Sequence, residues 1–255
     1  MSRRLTRPKL VEANEGASAS ARRRNLVNFF ELAYERIEIL IVNCELKPGR
    51  FLAMQDLQAM TGFGRTPVHQ AVNRLAADTI ITVRPRHGVQ IAPIDLARER
   101  MLLRLRRDIE RFVIRLAAER SSPTNSNQLL HLERLLRKQR KSMTIDEFNV
   151  IDRRLDRLIL TAASEPFLEH ALRPLRTIFR RIGWIYHTQI KGGVSLHQTI
   201  DCHLALLDAV ANRHVDKATA ASDVLIDFVD NMFDVMEREV DPSLLDCSLE
   251  LLIRP

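Results

Sequence analysis

The stretch from Met54 to Gly88 constrains the fold of this chain more than any other, because its apolar spacing is helical at first and alternating at the end. Gly62 and Gly64 mark a sharp turn, and Thr66 and Pro67 are typical of a helix start. On either side of the turn, apolar residues recur every three or four positions, namely Leu57, Met60, Val68, Ala71, Val72 and Leu75. This spacing predicts two short helices that bury a shared core.

After Leu75 the spacing becomes alternating, which predicts a β-hairpin. Ile81 and Val83 lie on its first arm, Val89 and Ile91 lie on its second, and the basic run at 84–88 forms the tip. Helix, turn, helix and basic hairpin together predict a winged helix-turn-helix. That fold lays its second helix in the major groove of double-stranded DNA.

The start of the second helix and the hairpin tip therefore hold the candidate DNA-binding residues. Side chains in the first turns of such a helix face base edges, which selects Arg65, Thr66, His69 and Gln70. Arg84, Arg86 and His87 at the tip are placed to meet phosphates or the adjacent minor groove. The alternative is that these are ordinary surface charges, but the basic residues fall on the two elements that face the groove.

Charge and composition divide the chain in the same way. Residues 1–92 contain 14 Lys and Arg against 8 Asp and Glu, whereas residues 93–255 contain 25 against 24. The positive excess thus coincides with the predicted DNA-binding region, as phosphate neutralisation requires. We predict a flexible basic tail at 1–25, the winged helix-turn-helix at 26–93, a helical domain at 94–240 and a C-terminal tail at 241–255.

Past Pro93 the apolar spacing is helical throughout. Three stripes illustrate it: Ile109, Phe112, Val113, Leu116 and Ala117; Leu129, Leu132, Leu135 and Leu136; and Phe148, Ile151, Leu155, Leu158 and Ile159. Breaks are predicted at 121–123, 143–144, 165–166, 191–193 and 212–214, and all but the second contain Pro, Gly, Ser or Asn. The prediction is a mainly α protein in which an antiparallel helical bundle follows the winged helix-turn-helix.

Three segments of the first region resemble the DNA-binding domain of the GntR family of bacterial transcription regulators. They are ELKPGRFL at 45–52, GRTPVHQAVNRL at 64–75 and VRPRHGVQI at 83–91. The resemblance implies that Arg65 contacts bases and that Gly88 lets the wing approach the DNA backbone. The chain departs from the family pattern at Gly64, His69 and Thr79, where Ser or Thr, Arg and Gly are usual.

The helical region is similar to the ligand-binding FCD domain of the FadR-type GntR subfamily, through motifs at 106–118, 152–156, 163–168 and 203–212. Many of its members hold a divalent metal with one aspartate and three histidines, and the metal helps to bind a carboxylate effector. Carried over by position, the aspartate is Asp152 and the second histidine is His203. Asp156 replaces the first histidine, and Leu225 replaces the third.

This set leaves two kinds of effector site open. Asp152, Asp156 and His203 supply oxygen and nitrogen ligands for an open metal site, which Zn, Ni or Mn would suit. Alternatively the pocket has no metal and binds a small organic acid through arginines. In that case Arg106, and Arg180 or its neighbour Arg181, would neutralise the carboxylates. The plainer alternative is a solvated helix face with a core histidine.

The function predicted is a homodimeric transcription regulator, and we expect a repressor. Two recognition helices would bind a near-palindromic operator, and the effector would shift the population between head geometries. The alternative is a helical metal-dependent enzyme with an accessory DNA-binding domain, but the chain has no nucleophile motif, glycine-rich phosphate loop or H-E-x-x-H signature. Three scattered cysteines and the absence of a long apolar run predict a cytoplasmic protein that does not contact membranes.

Overall fold

The computed structural model of the protein describes residues 28–191 and 194–249, so the predicted tail at 1–25 lies outside the described residues. The first region contains three helices and a three-stranded sheet. The helices are α1 (Phe29–Val42), α2 (Met54–Thr61) and α3 (Arg65–Ala77), and the strands are β1 (Phe51–Leu52), β2 (Ile81–Arg84) and β3 (Gly88–Ile91). The sheet is antiparallel in the order β1-β3-β2, which confirms the winged helix-turn-helix and adds β1 to the predicted hairpin. We call residues 28–93 the head.

The core of the head follows the predicted helical spacing with one exception. Leu57 on α2 packs against the buried row of α3, which consists of Val68, Ala71, Val72 and Leu75. The prediction for Met60 was wrong, because its side chain is 37% exposed. The helix α2 has only eight residues, so it buries a single row of side chains, and Met60 lies outside that row.

The wing is closed by a backbone contact that requires glycine. Gly88 has a φ of +91°, and a Cβ atom built there would lie 2.3 Å from the Leu52 carbonyl oxygen of β1. No side chain fits in that space, so packing of β1 against β3 is by itself enough to exclude other residues. The role of Gly88 in approaching the DNA backbone stays a prediction.

Six long helices form the predicted bundle within the described part of the chain. They are α4 (Leu96–Arg120), α5 (Pro123–Gln139), α6 (Ile145–Ala163), α7 (Phe167–Gln189), α8 (His197–Ala211) and α9 (Val215–Glu239). Each predicted break falls between two of them, and side chains of Asp95, Ser122 and Thr144 cap the helices that follow. None of the described helices is long and apolar enough to cross a membrane.

One expectation for the bundle region needs correction. Phe112 was predicted in the core, but its side chain is 54% exposed. The described part of the predicted C-terminal tail at 241–255 forms helix α10 (Pro242–Leu245) and a 3-10 turn (Cys247–Leu249), and residues 250–255 lie outside the described residues. The amide of Cys247 donates to the Pro48 carbonyl oxygen over 2.9 Å, so this segment is hydrogen-bonded to the head.

Candidate nucleic-acid interface and effector site

The first two turns of α3 present the predicted base-reading residues to solvent. Arg65, Thr66, His69 and Gln70 are all exposed, whereas the other face of the helix is buried in the head. Gly64 at the N-cap gives no side-chain hydrogen bond to the first turn. The first backbone N–H groups are therefore available to a phosphate, and the positive end of the helix dipole favours one there.

The wing tip presents a second basic surface beside α3. The His87 amide donates to the Arg84 carbonyl oxygen over 3.0 Å, with Pro85 and Arg86 at the two central positions of the turn. Arg86 has a φ of 67°, a conformation in which glycine is the favoured residue. Neither Arg65, Arg84 nor Arg86 forms an ion pair with any part of the protein that the structure describes. Arg86 is thus available to a partner outside the chain, and its contact with DNA stays a prediction.

The bundle brings Asp152 and Asp156 together, but around an arginine. Nε of Arg180 donates to Oδ2 of Asp152 over 2.6 Å, and its Nη2 contacts the carboxylate of Asp156. Nε2 of His203 lies 3.4 Å from Oδ1 of Asp152. These side chains are largely buried, so the solvated helix face is the wrong interpretation. Arg180 rather than Arg181 neutralises the carboxylate pair.

A second ion pair extends this cluster toward α4. Arg176 holds Glu110 through two hydrogen bonds of 3.2 and 3.1 Å, and its Nε lies 3.2 Å from Oδ1 of Asp156. Arg106 donates to Glu110 over 3.3 Å and lies 5.1 Å from the centre of the Phe179 ring. If Arg106 moves away from Glu110, that carboxylate remains paired with Arg176. Arg106 is therefore the arginine most readily available to another anion.

Burial and nearby arginines act against each other on the acids of this cluster. For Asp152, burial opposes ionisation, but Arg180 and His203 outweigh it and lower its pKa. For Glu110 the arginines Arg176 and Arg106 likewise overcome burial and lower the pKa. For Asp156, burial together with the neighbouring carboxylates raises the pKa to about 6, because the arginines offset it only in part. The cluster thus balances its own charges.

The donor set does not fit the metal site that the resemblance implies for Asp152, Asp156 and His203. The Arg180 guanidinium already supplies the positive charge that both carboxylates need. Leu225 lines the same cavity in place of the third histidine and has no lone pair to offer. No three His, Cys, Asp or Glu side chains are placed to share a metal ion in residues 28–191 and 194–249.

A small cavity of about 60 Å³ lies in the bundle beside this cluster, and we call it the bundle cavity. Its polar lining includes Arg106, Asp152, Arg180 and His203. Phe148, Phe179, Leu225, Phe228, Val229 and Met232 supply most of its apolar lining. Apolar walls with a few converging polar groups are typical of small-molecule sites. Four of the five predicted effector residues therefore line one cavity. The fifth, Asp156, does not line it but contacts Arg180.

Three residues of the cluster were missed by sequence reasoning, namely Glu38, Glu110 and Arg176. Each is charged and buried, and Glu38 is part of a helical row that is otherwise apolar. Glu38 follows Tyr34 by one turn and precedes Ile41 on the buried face of α1. A charge inside an apolar row was therefore a usable signal, because burial of an unpaired charge is costly and implies a partner.

A winged helix-turn-helix with a free basic face, joined to a helical bundle with an internal cavity, defines a DNA-binding transcription regulator with a ligand-type domain. Residues 31–91 match the family of bacterial regulatory proteins called the gntR family, and residues 101–228 match the FCD domain. The chain therefore belongs to the GntR family, in its FadR-like, FCD-containing subfamily. Because this is a family of transcription regulators, the enzyme alternative is wrong.

The chain is also similar to individual regulators over most of its length. The chain is 26% identical over 184 residues to the HTH-type transcriptional repressor RspR of Escherichia coli, covering 71% of this chain and 78% of that protein. It is also 26% identical over 199 residues to an uncharacterized HTH-type regulator of Streptomyces ambofaciens, covering 74% and 78%. The structure of E. coli McbR/YncC superposes with a TM-score of 0.71 at 17% identity, covering 84% of this chain and all of that one, and shows a shared fold.

Proposed function

We propose that this regulator is a homodimeric repressor that a small organic acid releases from its operator without the help of a metal ion. The observation that carries the proposal is the bundle cavity, where Arg106 lies beside an apolar wall. Arg106 can move away from Glu110 because Arg176 also pairs with that carboxylate. A carboxylate would pair with Arg106 while its hydrocarbon part packs on Phe179 and Phe228. RspR, which aligns with 71% of this chain, is named a repressor, which supports the sign of regulation.

The size of the bundle cavity supports a conformational response. Its volume of about 60 Å³ is well below the roughly 300 Å³ at which ligand pockets usually begin. An acid with more than a few heavy atoms must therefore select a wider form of the bundle. The acid shifts the population toward the wider form only to the extent that it binds this form more tightly than the closed one.

A thermal-shift screen with mono- and dicarboxylates, each paired with its uncharged amide, tests the effector class. We expect at least one acid to raise the melting temperature of the wild type, and its amide to have no effect. The Arg106→Met variant should lose this shift, while Arg154→Met, which alters an exposed arginine of α6, should keep it. Equal stabilisation by acid and amide would contradict the role of charge.

Elemental analysis of the purified protein tests the metal-free part. We expect no stoichiometric divalent metal in the wild type, because Arg180 already satisfies both aspartates. A stoichiometric metal that disappears in Asp152→Asn would overturn this part of the proposal and leave the regulator assignment untouched.

Homodimerisation is supported by an exposed apolar row on α4. Met101, Leu105 and Phe112 are each more than half exposed and lie about one or two helical turns apart. A second copy of the chain would cover this row and pair two heads for the two halves of an operator. Sedimentation velocity should show a dimer that Phe112→Arg weakens; a wild-type monomer at all concentrations would contradict the assignment.

A further inference from the structure

Arg180 lies between carboxylates that belong to different parts of the molecule. Its Nε and Nη2 contact Asp152 and Asp156 of α6, while its Nη1 lies 3.4 Å from Oε1 of Glu38 in the head. The same side chain lines the bundle cavity and a larger cleft of about 540 Å³ between the head and the bundle. Arg180 thus forms part of the wall that separates these two spaces.

Glu38 makes this contact important for the position of the head. It is 4% exposed, and its carboxylate receives hydrogen bonds from Thr177, Arg153 and Arg180, all of which belong to the bundle. Loss of any hydrogen-bond donor destabilises a buried carboxylate, because water does not reach the site to replace the lost donor. Glu38 lies on α1, which packs along the recognition helix α3. A shift of α1 would therefore reach the DNA-binding surface.

From this arrangement we propose that Arg180 couples the bundle cavity to the head, by dividing one guanidinium between the cavity carboxylate Asp152 and the head carboxylate Glu38. The proposal rests on the proposed function in treating a carboxylate as the natural occupant of the cavity. Negative charge added on the cavity side draws Arg180 away from Glu38 and loosens α1. Removal of negative charge from that side has the opposite effect.

Two further contacts keep the head attached while this contact changes. Arg173 holds Asp78, at the end of α3, through hydrogen bonds of 3.0 and 3.1 Å, and Nη1 of Arg181 donates to the Ala92 carbonyl oxygen of the head over 2.8 Å. Neither arginine lines the bundle cavity. A cavity ligand therefore acts on the Glu38 contact in particular, and the head changes its orientation without detaching.

Hydrogen exchange of the full-length protein, without DNA or ligand, tests the coupling. Asp152→Asn removes a cavity charge that does not contact the head, and we expect it to slow exchange of the α1 amides by about threefold or more, because Arg180 then favours Glu38. In a Glu38→Gln background the same substitution should have no further effect. Glu110→Gln is the matched control, since it removes another buried carboxylate of the bundle that Arg180 does not contact.

Arg180→Lys provides a second route, because lysine keeps the charge but lacks the planar fork that contacts three carboxylates. It should speed exchange in α1 while exchange in α5, which contributes no side chain to the cluster, stays unchanged. Unchanged α1 exchange in both variants, or an equal effect of Asp152→Asn with and without Glu38, would overturn the coupling. Operator binding is measured separately, so failure of the proposed function is a distinct result.

Discussion

The head and the bundle use arginine in opposite ways. On the head, Arg65 and Arg86 are exposed and form no ion pair within the described residues. In the bundle, Arg176 and Arg180 are buried, and each binds two or more carboxylates. An exposed, unpaired cation retains its charge for a polyanion such as DNA, whereas a buried one is neutralised by its own chain and fixes the packing. Among these four arginines, the two exposed ones are free to meet an external partner, whereas the two buried ones are held by carboxylates of the chain itself.

The largest expected effect comes from removal of a buried arginine. Arg180→Met leaves Asp152, Asp156 and Glu38 with too few cationic partners, so we expect a loss of about 3–5 kcal/mol in the free energy of unfolding. Chemical denaturation measures it. Arg140→Met is the control, because Arg140 binds Asp201 at the surface, where solvent replaces the lost contact. Similar losses for both variants would remove the distinction between buried and exposed pairs.

A pH effect is expected at the buried pair of Glu99 and Arg181. Burial raises the pKa of Glu99 to about 7, although Arg181 opposes the shift, and Oε2 of Glu99 has no hydrogen-bond partner in the described structure. Because the folded-state pKa exceeds the unfolded one, stability is lost as the pH rises from about 4.5 through 7.

The Glu99→Gln variant isolates this effect. Between pH 5 and pH 8, the wild type should lose about 2–3 kcal/mol of unfolding free energy relative to the variant. Urea denaturation of both proteins at the two pH values measures the difference. If the gap between them is the same at both, Glu99 does not titrate in this range.

For the exposed arginine Arg86 at the wing tip, we expect a substitution that raises stability to lower DNA affinity. Arg86→Gly should gain up to about 1 kcal/mol in unfolding free energy, because glycine accepts the positive φ without strain. Operator affinity should fall at the same time, with a salt-dependence slope smaller by about 1, as expected when one phosphate contact is lost. Mobility shifts at several salt concentrations measure this. An unchanged slope would show that Arg86 does not contact the phosphates.

The base-reading arginine is tested in the same assay. Arg65→Ala should weaken operator binding by about 1–3 kcal/mol while keeping weak general affinity for DNA, because one base contact is lost and phosphate contacts remain. Arg154→Ala, on an exposed face of the bundle, should bind like the wild type. A variant that stays as selective as the wild type would contradict the recognition assignment.

The smallest effect is expected at Thr79, which follows α3 and also has a positive φ. Thr79 has a φ of 61°, which a β-branched residue adopts with strain. Thr79→Gly should therefore gain about 1 kcal/mol in unfolding free energy and leave operator affinity unchanged. Together with Arg86→Gly, it separates strain that serves binding from strain that does not. Reduced DNA binding by Thr79→Gly would place this residue in the interface.

Helix boundaries and the wing were predictable because their signals are local. Capping residues such as Ser122 and Thr144, the proline at 123 and the alternating hairpin residues act within a few positions. The predictions that Met60 and Phe112 are buried were wrong for one reason. Both residues fit a helical apolar row, but the number of faces that a helix buries depends on its neighbours. The strand β1 was missed because two residues carry no periodicity.

What the sequence by itself determined is the class of protein: two helices, a turn and a basic hairpin, followed by a helical bundle with its family motifs. Tertiary structure alone decided which charges neutralise each other. Glu38 and Arg180 are 142 positions apart, and no short-range pattern joins them. The physical reason is that hydrophobic spacing reports the local period of the backbone, whereas a buried ion pair depends on which helix faces meet after folding.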